Sequence, residues 1–455
     1  MNVDTIAAVS TAPGHGAIAV IRVSGPAAPE VLRRVAPSLA EAPSPRTCTL
    51  VEIRRPSSGE LVDRAIATVF AEPASYTGEH MVELSCHGGP LIPGLVLDAC
   101  IQAGARPAEP GEFTRRAYLR GKMDLLQAEA VADLIQARSR AFHRAAIGQL
   151  ERGLSGRIGE LRESLVKLEA LMAHHIDFPE EDDAPVSLEA VAAEASRVIA
   201  RLDGLLATAP EGELLRDGAL AVFAGRPNAG KSSLYNALIG QDRAIVTDEP
   251  GTTRDALEAS VQLAGFPFRL VDTAGLRETE ARIEQLGVEV ALKYLKGADI
   301  VLLCVPVGEA VSSGERRFLE GITAPVVLLE TKADLPGQAG LEARSLDGFA
   351  GVVRVSVTTG EGLDEIARLL PELAYQTLTS ADDEAPIITR GRHARALRTA
   401  RDAVELFRAA LTDGLPPEVA STHLRPAETA LEEVLGVISV DDVLDVVFRE
   451  FCVGK

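Results

Sequence analysis

The residues GRPNAGKSS (Gly225–Ser233) carry the clearest chemical signal in the chain. They fit the pattern G-x-x-x-x-G-K-[ST] between an apolar strand-like run, Ala219–Ala224, and a helical run, Leu234–Leu238. Glycines let successive backbone N–H groups turn inward around a phosphate, and the following helix adds the positive end of its dipole. Lys231 reaches the β- and γ-phosphate oxygens and the Ser232 hydroxyl ligates Mg2+, while Asn228, Ala229, Gly230 and Ser233 complete the cradle. Strand, loop and helix agree, so the segment predicts a nucleoside triphosphate site rather than a glycine-rich turn.

Further segments follow in the order such a site requires. The loop TDEPGTTRD (Thr247–Asp255) stands where the Mg2+-sensing switch of a GTPase would be. It brings Thr247, Asp248, Glu249, Pro250, Gly251, Thr252 and Thr253 to the nucleotide, with Thr253 as the metal ligand. Phe268–Gly275 reads as a strand ending in D-x-x-G. Asp272 holds the metal through water, Thr273 and Ala274 share the turn, and the Gly275 amide meets the γ-phosphate. Val326–Leu329 is a strand ending in TKAD, where Thr331, Lys332 and Asp334 meet the base. A carboxylate there accepts both N1–H and the exocyclic N–H of guanine, a pair adenine does not offer. Val352–Ser356 is a strand ending at a serine that closes over the base. Each segment alone is weak; together they place one site at the C-terminal ends of strands, where open α/β sheets bind ligands.

The segments depart from common GTPase patterns in three places. Thr331 replaces the asparagine of N-K-x-D, keeping one hydroxyl to brace the loop. Ser356-Val-Thr lacks the basic residue of S-A-[KR]. Leu276 follows D-x-x-G, where Ras-like enzymes carry a water-orienting glutamine. Another group must therefore orient water and neutralise charge, and the Asn228 amide is suited to help hold a monovalent cation beside the phosphates.

Beyond these motifs the chain resembles, from end to end, the MnmE (TrmE) family of tRNA-modifying GTPases. The matching segments are DTIAA (Asp4–Ala8), AIAVIRVSG (Ala17–Gly25), YTGEHMVEL (Tyr76–Leu84), HGGP (His87–Pro90), RPAEPGEFTRRA (Arg106–Ala117), KMDLLQAEA (Lys122–Ala130), IDFPE (Ile176–Glu180), the phosphate loop and the closing FCVGK (Phe451–Lys455). The resemblance implies a second site for 5-formyl- or 5,10-methylene-tetrahydrofolate, carried over to Arg22, Glu83, Lys122 and Lys455. In that site Glu83 would accept from the amino-pyrimidinone edge of the pterin. It also implies a role for Cys452 in the modification reaction, and K+ held by Asn228, Thr247, Glu249 and Thr252. Glu284 would orient water indirectly. By the same resemblance the chain is a cytoplasmic homodimer that joins the FAD-dependent MnmG in a heterotetramer or larger complex acting on tRNA wobble uridine. General GTPase motifs alone would also suit a switch in RNA binding or ribosome assembly.

The elements that must position these residues are legible in outline. At 455 residues the chain suggests about three domains. The fold class expected is multidomain α/β plus α, with a Ras-like P-loop GTPase domain inserted into a helical domain. Residues 1–118 alternate short β-like and helical runs and form an α+β folate-binding and dimerisation domain. Residues 119–215 begin the helical domain, where Leu150, Leu154, Ile158, Leu161, Leu165 and Leu168 make one long stripe. Residues 216–379 hold the GTPase, and 380–455 complete the helical domain. Five cysteines without C-x-x-C spacing indicate neither a zinc site nor a disulfide framework. No apolar stretch reaches membrane-spanning length. The net charge of -20 opposes nonspecific attraction to nucleic acid, so any RNA contact needs local basic patches. Arg115, Arg116, Arg120 and Lys122 form one. Arg390, Arg392, Arg395, Arg398 and Arg401 form another at helical spacing, equally readable as a solvated face.

Overall fold

The computed structural model describes the chain apart from residues 1–3, 40, 42, 178–185, 242–257, 274–292, 336–347, 381–385, 438–443, 445–446 and 450. Its contacts divide it into two units: residues 1–132, 150–155 and 432–455, and residues 133–149 and 156–431. By contacts, 432–455 groups with residues 1–132. Leu444, Val447, Phe448 and Phe451 bury with Leu125, Ala128 and Ala132, at the start of the segment that the sequence reading joins to 380–455 as one helical domain.

In the N-terminal unit, period-2 alternation gives β1 (Ile6–Val9), β2 (Ile18–Ser24), β3 (Cys48–Arg54), β4 (Leu61–Phe70), β5 (Met81–His87) and the two-residue β6 (Arg106–Pro107). They form one sheet in the order β3-β4-β5-β2-β1-β6. All pairs are antiparallel except β1–β6. Ile21, Val23, Val51, Ala65 and Leu84 point to one face and bury against helices Ala28–Val35 and Ile92–Gln102. Arg22 and Glu83, one residue out of phase, lie on the opposite face. There Phe113 and Tyr76 pack on Ile6 and Ala8 of β1.

The loop carrying Tyr76 is pinned from below. Ser24 Oγ meets Thr77 Oγ1 at 2.7 Å and Glu79 Oε2 at 2.9 Å, and Ser75 Oγ donates to Glu79 O at 2.6 Å. The C-terminus returns to this unit. Pro110 and Val453 form a β-bridge, Ser10 Oγ donates to Gly454 O at 3.0 Å, and Gly111 N–H donates to Cys452 O at 3.4 Å. Gly454 has φ +99°, and a Cβ there would stand 2.3 Å from Val9 O, so the seat admits only glycine.

The second unit contains β7 (Ala219–Ala224), β8 (Glu258–Leu263), β9 (Phe266–Asp272), β10 (Ile300–Pro306), β11 (Val326–Thr331) and β12 (Gly351–Val355), in the order β12-β11-β10-β7-β9-β8. Neighbours are parallel except β8 on β9. β7, β10 and β11 are nearly continuous apolar runs because both their faces are covered. The leucine stripe lies on helix Gly153–Asp177, where Leu154, Ile158, Leu161, Leu165 and Leu168 are buried. Leu150 instead ends helix Arg140–Leu150, and Arg152 at φ +68° separates the two. Helix Leu188–Ala207 starts at Ser187, whose side chain accepts the Ala190 N–H.

Helix Ala209–Asp217 leads into β7, and helices Leu363–Ala374 and Gln376–Ser380 lead out of β12. The Glu211 carboxylate accepts the N–H groups of Thr377 and Leu378, both at 2.8 Å, and so ties entry to exit. Tyr375 is fully buried between them. Its hydroxyl donates to Pro267 O at 2.7 Å, stands 3.1 Å from Leu214 O and accepts from Ala219 N–H at 3.3 Å. No helix among the described residues is long and apolar enough to cross a membrane.

Candidate functional site

The phosphate loop runs from the end of β7 into helix Lys231–Gln241. Gly225 has φ +132°, and a Cβ there would lie 2.4 Å from Cys304 O, so the loop begins where only glycine clears β10. Asn228 sits at φ +62°, a left-handed conformation that asparagine tolerates better than most residues. That is a backbone reason for asparagine here, beside any role in holding a cation. Lys231 is 6% exposed, and its Nζ donates to Gly225 O at 2.9 Å and Arg226 O at 2.7 Å. The ammonium thus lies inside the cradle, where phosphate oxygens can replace the carbonyls. Ser232 and Ser233 are exposed at the start of the helix. Asp272 ends β9 at 5% exposure, and Thr273 Oγ1 donates to Phe223 O at 2.8 Å, tying β9 to β7 beside the loop.

At the base end, Thr331 is buried and its Oγ1 donates to Ala229 O at 2.6 Å. This is the bracing bond expected from the lone hydroxyl. Ser356 is fully buried, and its Oγ donates to Asp334 Oδ1 at 2.7 Å. The serine therefore holds the exposed Asp334 carboxylate from beneath. A cavity of about 210 Å³ lies here, lined by Gly230, Leu234, Thr331, Lys332, Asp334 and Val357. Thr247, Asp248, Glu249, Pro250, Gly251, Thr252, Thr253, Ala274, Gly275, Leu276 and Glu284 lie outside the described residues.

The residues of the second site converge within the N-terminal unit. Arg22 and Glu83 are direct partners across β2 and β5, and Nε and Nη2 of Arg22 both donate to Glu83 Oε1, at 3.0 and 2.8 Å. Glu83 and Lys122 line a cavity of about 330 Å³ together with Arg46, Phe70, Tyr76 and Met81. Lys122 Nζ donates to Pro73 O at 3.1 Å. Burial, and then repulsion from Arg22, hold the Lys455 ammonium below the ordinary lysine value, while Glu83 pulls the other way. The last residue thus feels the same ion pair. Cys452 is exposed, whereas burial pushes the thiols of Cys86 up to about 11 and of Cys100 and Cys304 up to about 12. The rings of Tyr76 and Phe113 lie 5.1 and 5.7 Å from the Arg22 guanidinium carbon, and nothing in their spacing in sequence marks them.

Part of each basic patch is spent on ion pairs within the fold. Arg116, 10% exposed, pairs with Asp4 at 2.8 Å, Glu79 at 3.1 Å and Glu112 at 2.9 Å, and Arg120 pairs with Glu79 at 3.1 Å. Arg390 pairs with Asp133 at 2.6 Å, both side chains being buried. Arg401 pairs with Asp203 and Asp402 at 3.1 and 3.0 Å. These arginines order the fold, so a nucleic-acid patch cannot be counted from residue type alone.

A family model described as MnmE helical domain matches residues 125–452, and one described as GTP-binding protein TrmE N-terminus matches residues 5–122. Among curated relatives, the tRNA modification GTPase MnmE of Moorella thermoacetica is 42% identical over 464 residues, covering 99% of both chains. Its namesake in Salinibacter ruber is 42% identical over 459 residues, again covering 99% of both. That of Neisseria meningitidis serogroup B is 40% identical over 459 residues, covering 100% of this chain and 99% of the relative. The chain belongs to the MnmE (TrmE) family of tRNA modification GTPases.

Proposed function

We propose that this chain hydrolyses GTP in a Mg2+- and K+-dependent manner. With the FAD-dependent MnmG it adds an aminomethyl or carboxymethylaminomethyl group at C5 of tRNA wobble uridine, using a tetrahydrofolate one-carbon unit. In this reading it works in the cytoplasm as a homodimer. The observation that carries the reading is the presence of two separate pockets of matched chemistry. One sets a braced Asp334 on a cavity that Gly230 and Ser233 of the phosphate loop also line, with the Lys231 ammonium turned into that loop, which suits a guanine nucleotide. The other sets Glu83, an acceptor, and Lys122, a cation, on one cavity, which suits a donor-edged ring with an anionic tail.

In the first pocket Ser232 and Thr253 hold Mg2+, with Asp272 acting through water, and the metal neutralises phosphate oxygens. Asn228, Thr247, Glu249 and Thr252 hold K+, and Glu284 orients the attacking water. In the second, Glu83 reads the pterin edge, and Arg22, Lys122 and Lys455 supply the positive charge. Cys452, exposed beside the seated Lys455, is available to the modification chemistry. The domain boundaries 118, 215 and 379 belong to the same reading.

Nucleoside analysis of tRNA from a strain lacking the gene is the decisive experiment. Loss of 5-substituted wobble uridines supports the reading. Intact modification reduces the protein to a GTPase switch in RNA binding or ribosome assembly. Turnover in K+ against Na+ tests the cation separately, and equal rates overturn that part.

A further inference from the structure

The ion pair at the second site is supported by aromatic rings. The guanidinium carbon of Arg22 lies 5.1 Å from the Tyr76 ring centroid and 5.7 Å from that of Phe113. Both distances are within cation–π range. Nε and Nη2 of Arg22 go to a single oxygen, Glu83 Oε1, while Nη1 is buried without a hydrogen-bond partner. Ring faces are the available compensation for that donor. Glu83 itself lines the cavity, and Arg22 spends both its bonds on Oε1.

We propose that Tyr76 and Phe113 are positioning residues of the folate site, acting through Arg22 to hold the Glu83 carboxylate for the donor edge of the ligand. The proposal rests on the folate reading above. Each ring has its own anchor. Phe113 is fully buried with Ile6, Ala8 and Ala108. The Tyr76 hydroxyl shares a hydrogen bond with Thr114 Oγ1 at 2.9 Å, and burial pushes its phenol above the ordinary value. Both rings are thereby fixed beside the guanidinium, and a positioned guanidinium positions the carboxylate it binds. A carboxylate that must present one oxygen to two ring donors gains from such pre-organisation.

The test is the affinity of the full chain for 5-formyltetrahydrofolate, measured by calorimetry for wild type, Tyr76→Phe, Tyr76→Leu, Glu83→Gln and the Tyr76→Leu/Glu83→Gln double variant. Tyr76→Leu should bind about ten-fold more weakly. Tyr76→Phe keeps the ring and should bind like wild type, although it loses the Thr114 bond. In the Glu83→Gln background the leucine should cost almost nothing further, because the two residues act in series. A leucine penalty that persists in full in that background means Tyr76 stacks on the ligand directly, and overturns the proposal. So does equal weakening by Tyr76→Phe and Tyr76→Leu, which would assign the effect to the hydroxyl. Phe113→Leu gives an independent arm if its melting temperature matches wild type. Failure of wild type to bind the folate at all sinks the folate reading instead.

Discussion

Replacing Gly454 by alanine probes how the C-terminus is seated. At φ +99° an L-residue is strained by about 1–2 kcal/mol, and the new methyl would stand 2.3 Å from Val9 O and 2.9 Å from Ser10 Cα. Both obstacles are backbone atoms, so no change of rotamer relieves them. Against this, the tail is held by the Ser10–Gly454 and Gly111–Cys452 hydrogen bonds and the Pro110–Val453 bridge. At roughly 1 kcal/mol per bond the seat is worth about 2–3 kcal/mol. A tenfold ratio costs about 1.4 kcal/mol, so the wild-type tail is detached roughly 0.7–4% of the time. Strain and clash together exceed the seat, which makes detachment the majority state in the variant. Carboxypeptidase B removes a C-terminal lysine only from a free end, and mass spectrometry of timed digests reads its release. Lys455 should be lost roughly ten-fold faster or more from Gly454→Ala. The melting temperature should hardly move, because Leu444, Val447, Phe448 and Phe451 stay buried. Equal release from both proteins would refute the reasoning.

Asp334→Asn should weaken GTP roughly ten- to a hundred-fold and favour xanthosine triphosphate, since a charged hydrogen bond is worth about 1.5–3 kcal/mol. Unchanged GTP binding by calorimetry would mean the base is read elsewhere. Arg390→Ala removes the cation 2.6 Å from the buried Asp133 carboxylate and should cost about 3–5 kcal/mol in urea unfolding. A midpoint within error of wild type contradicts that pairing. Burial alone would raise the carboxyls of Asp4 and Glu112, but Arg106 and Arg116 bring both below their ordinary values. Folded values below unfolded ones give stability that is present above about pH 4 and lost as pH falls through the lower folded values. Melting temperature should therefore drop on the acid side of about pH 4, less steeply in Arg106→Gln, and identical slopes in the two proteins would count against this network.

Local chemistry was legible where a residue type and its neighbour in sequence suffice. The phosphate loop, its flanking strand and helix, and the bracing role of Thr331 all follow from short segments. What escaped depends on partners far apart in the chain. The Arg22–Glu83 pair requires the register of β2 on β5, which no local pattern sets. The same holds for Arg390, whose partner Asp133 lies 257 residues away. Residue type left the second patch open between an RNA contact and a solvated face, and one of its members, Arg390, is instead buried in an ion pair. Ser356 was placed at the base by its position after β12, yet its burial under Asp334 comes from packing. The burial partners of Leu444, Phe448 and Phe451 were hidden for a related reason. Leu444, Phe448 and Phe451 have helical spacing, which says that a face is buried but not against what.

The three contacts of the Tyr375 hydroxyl have a mechanical consequence. They gather Leu214, Ala219 and Pro267 at the starts of β7 and β9, the end of the sheet opposite the phosphate loop. Sliding β9 along β7 would pull Pro267 O off the phenol, and at the far end, where Asp272 and the loop stand, the Thr273–Phe223 bond resists the same motion. The two strands are thus pinned at both ends, by the phenol where the chain enters β7 and by the threonine where it leaves for the phosphate loop.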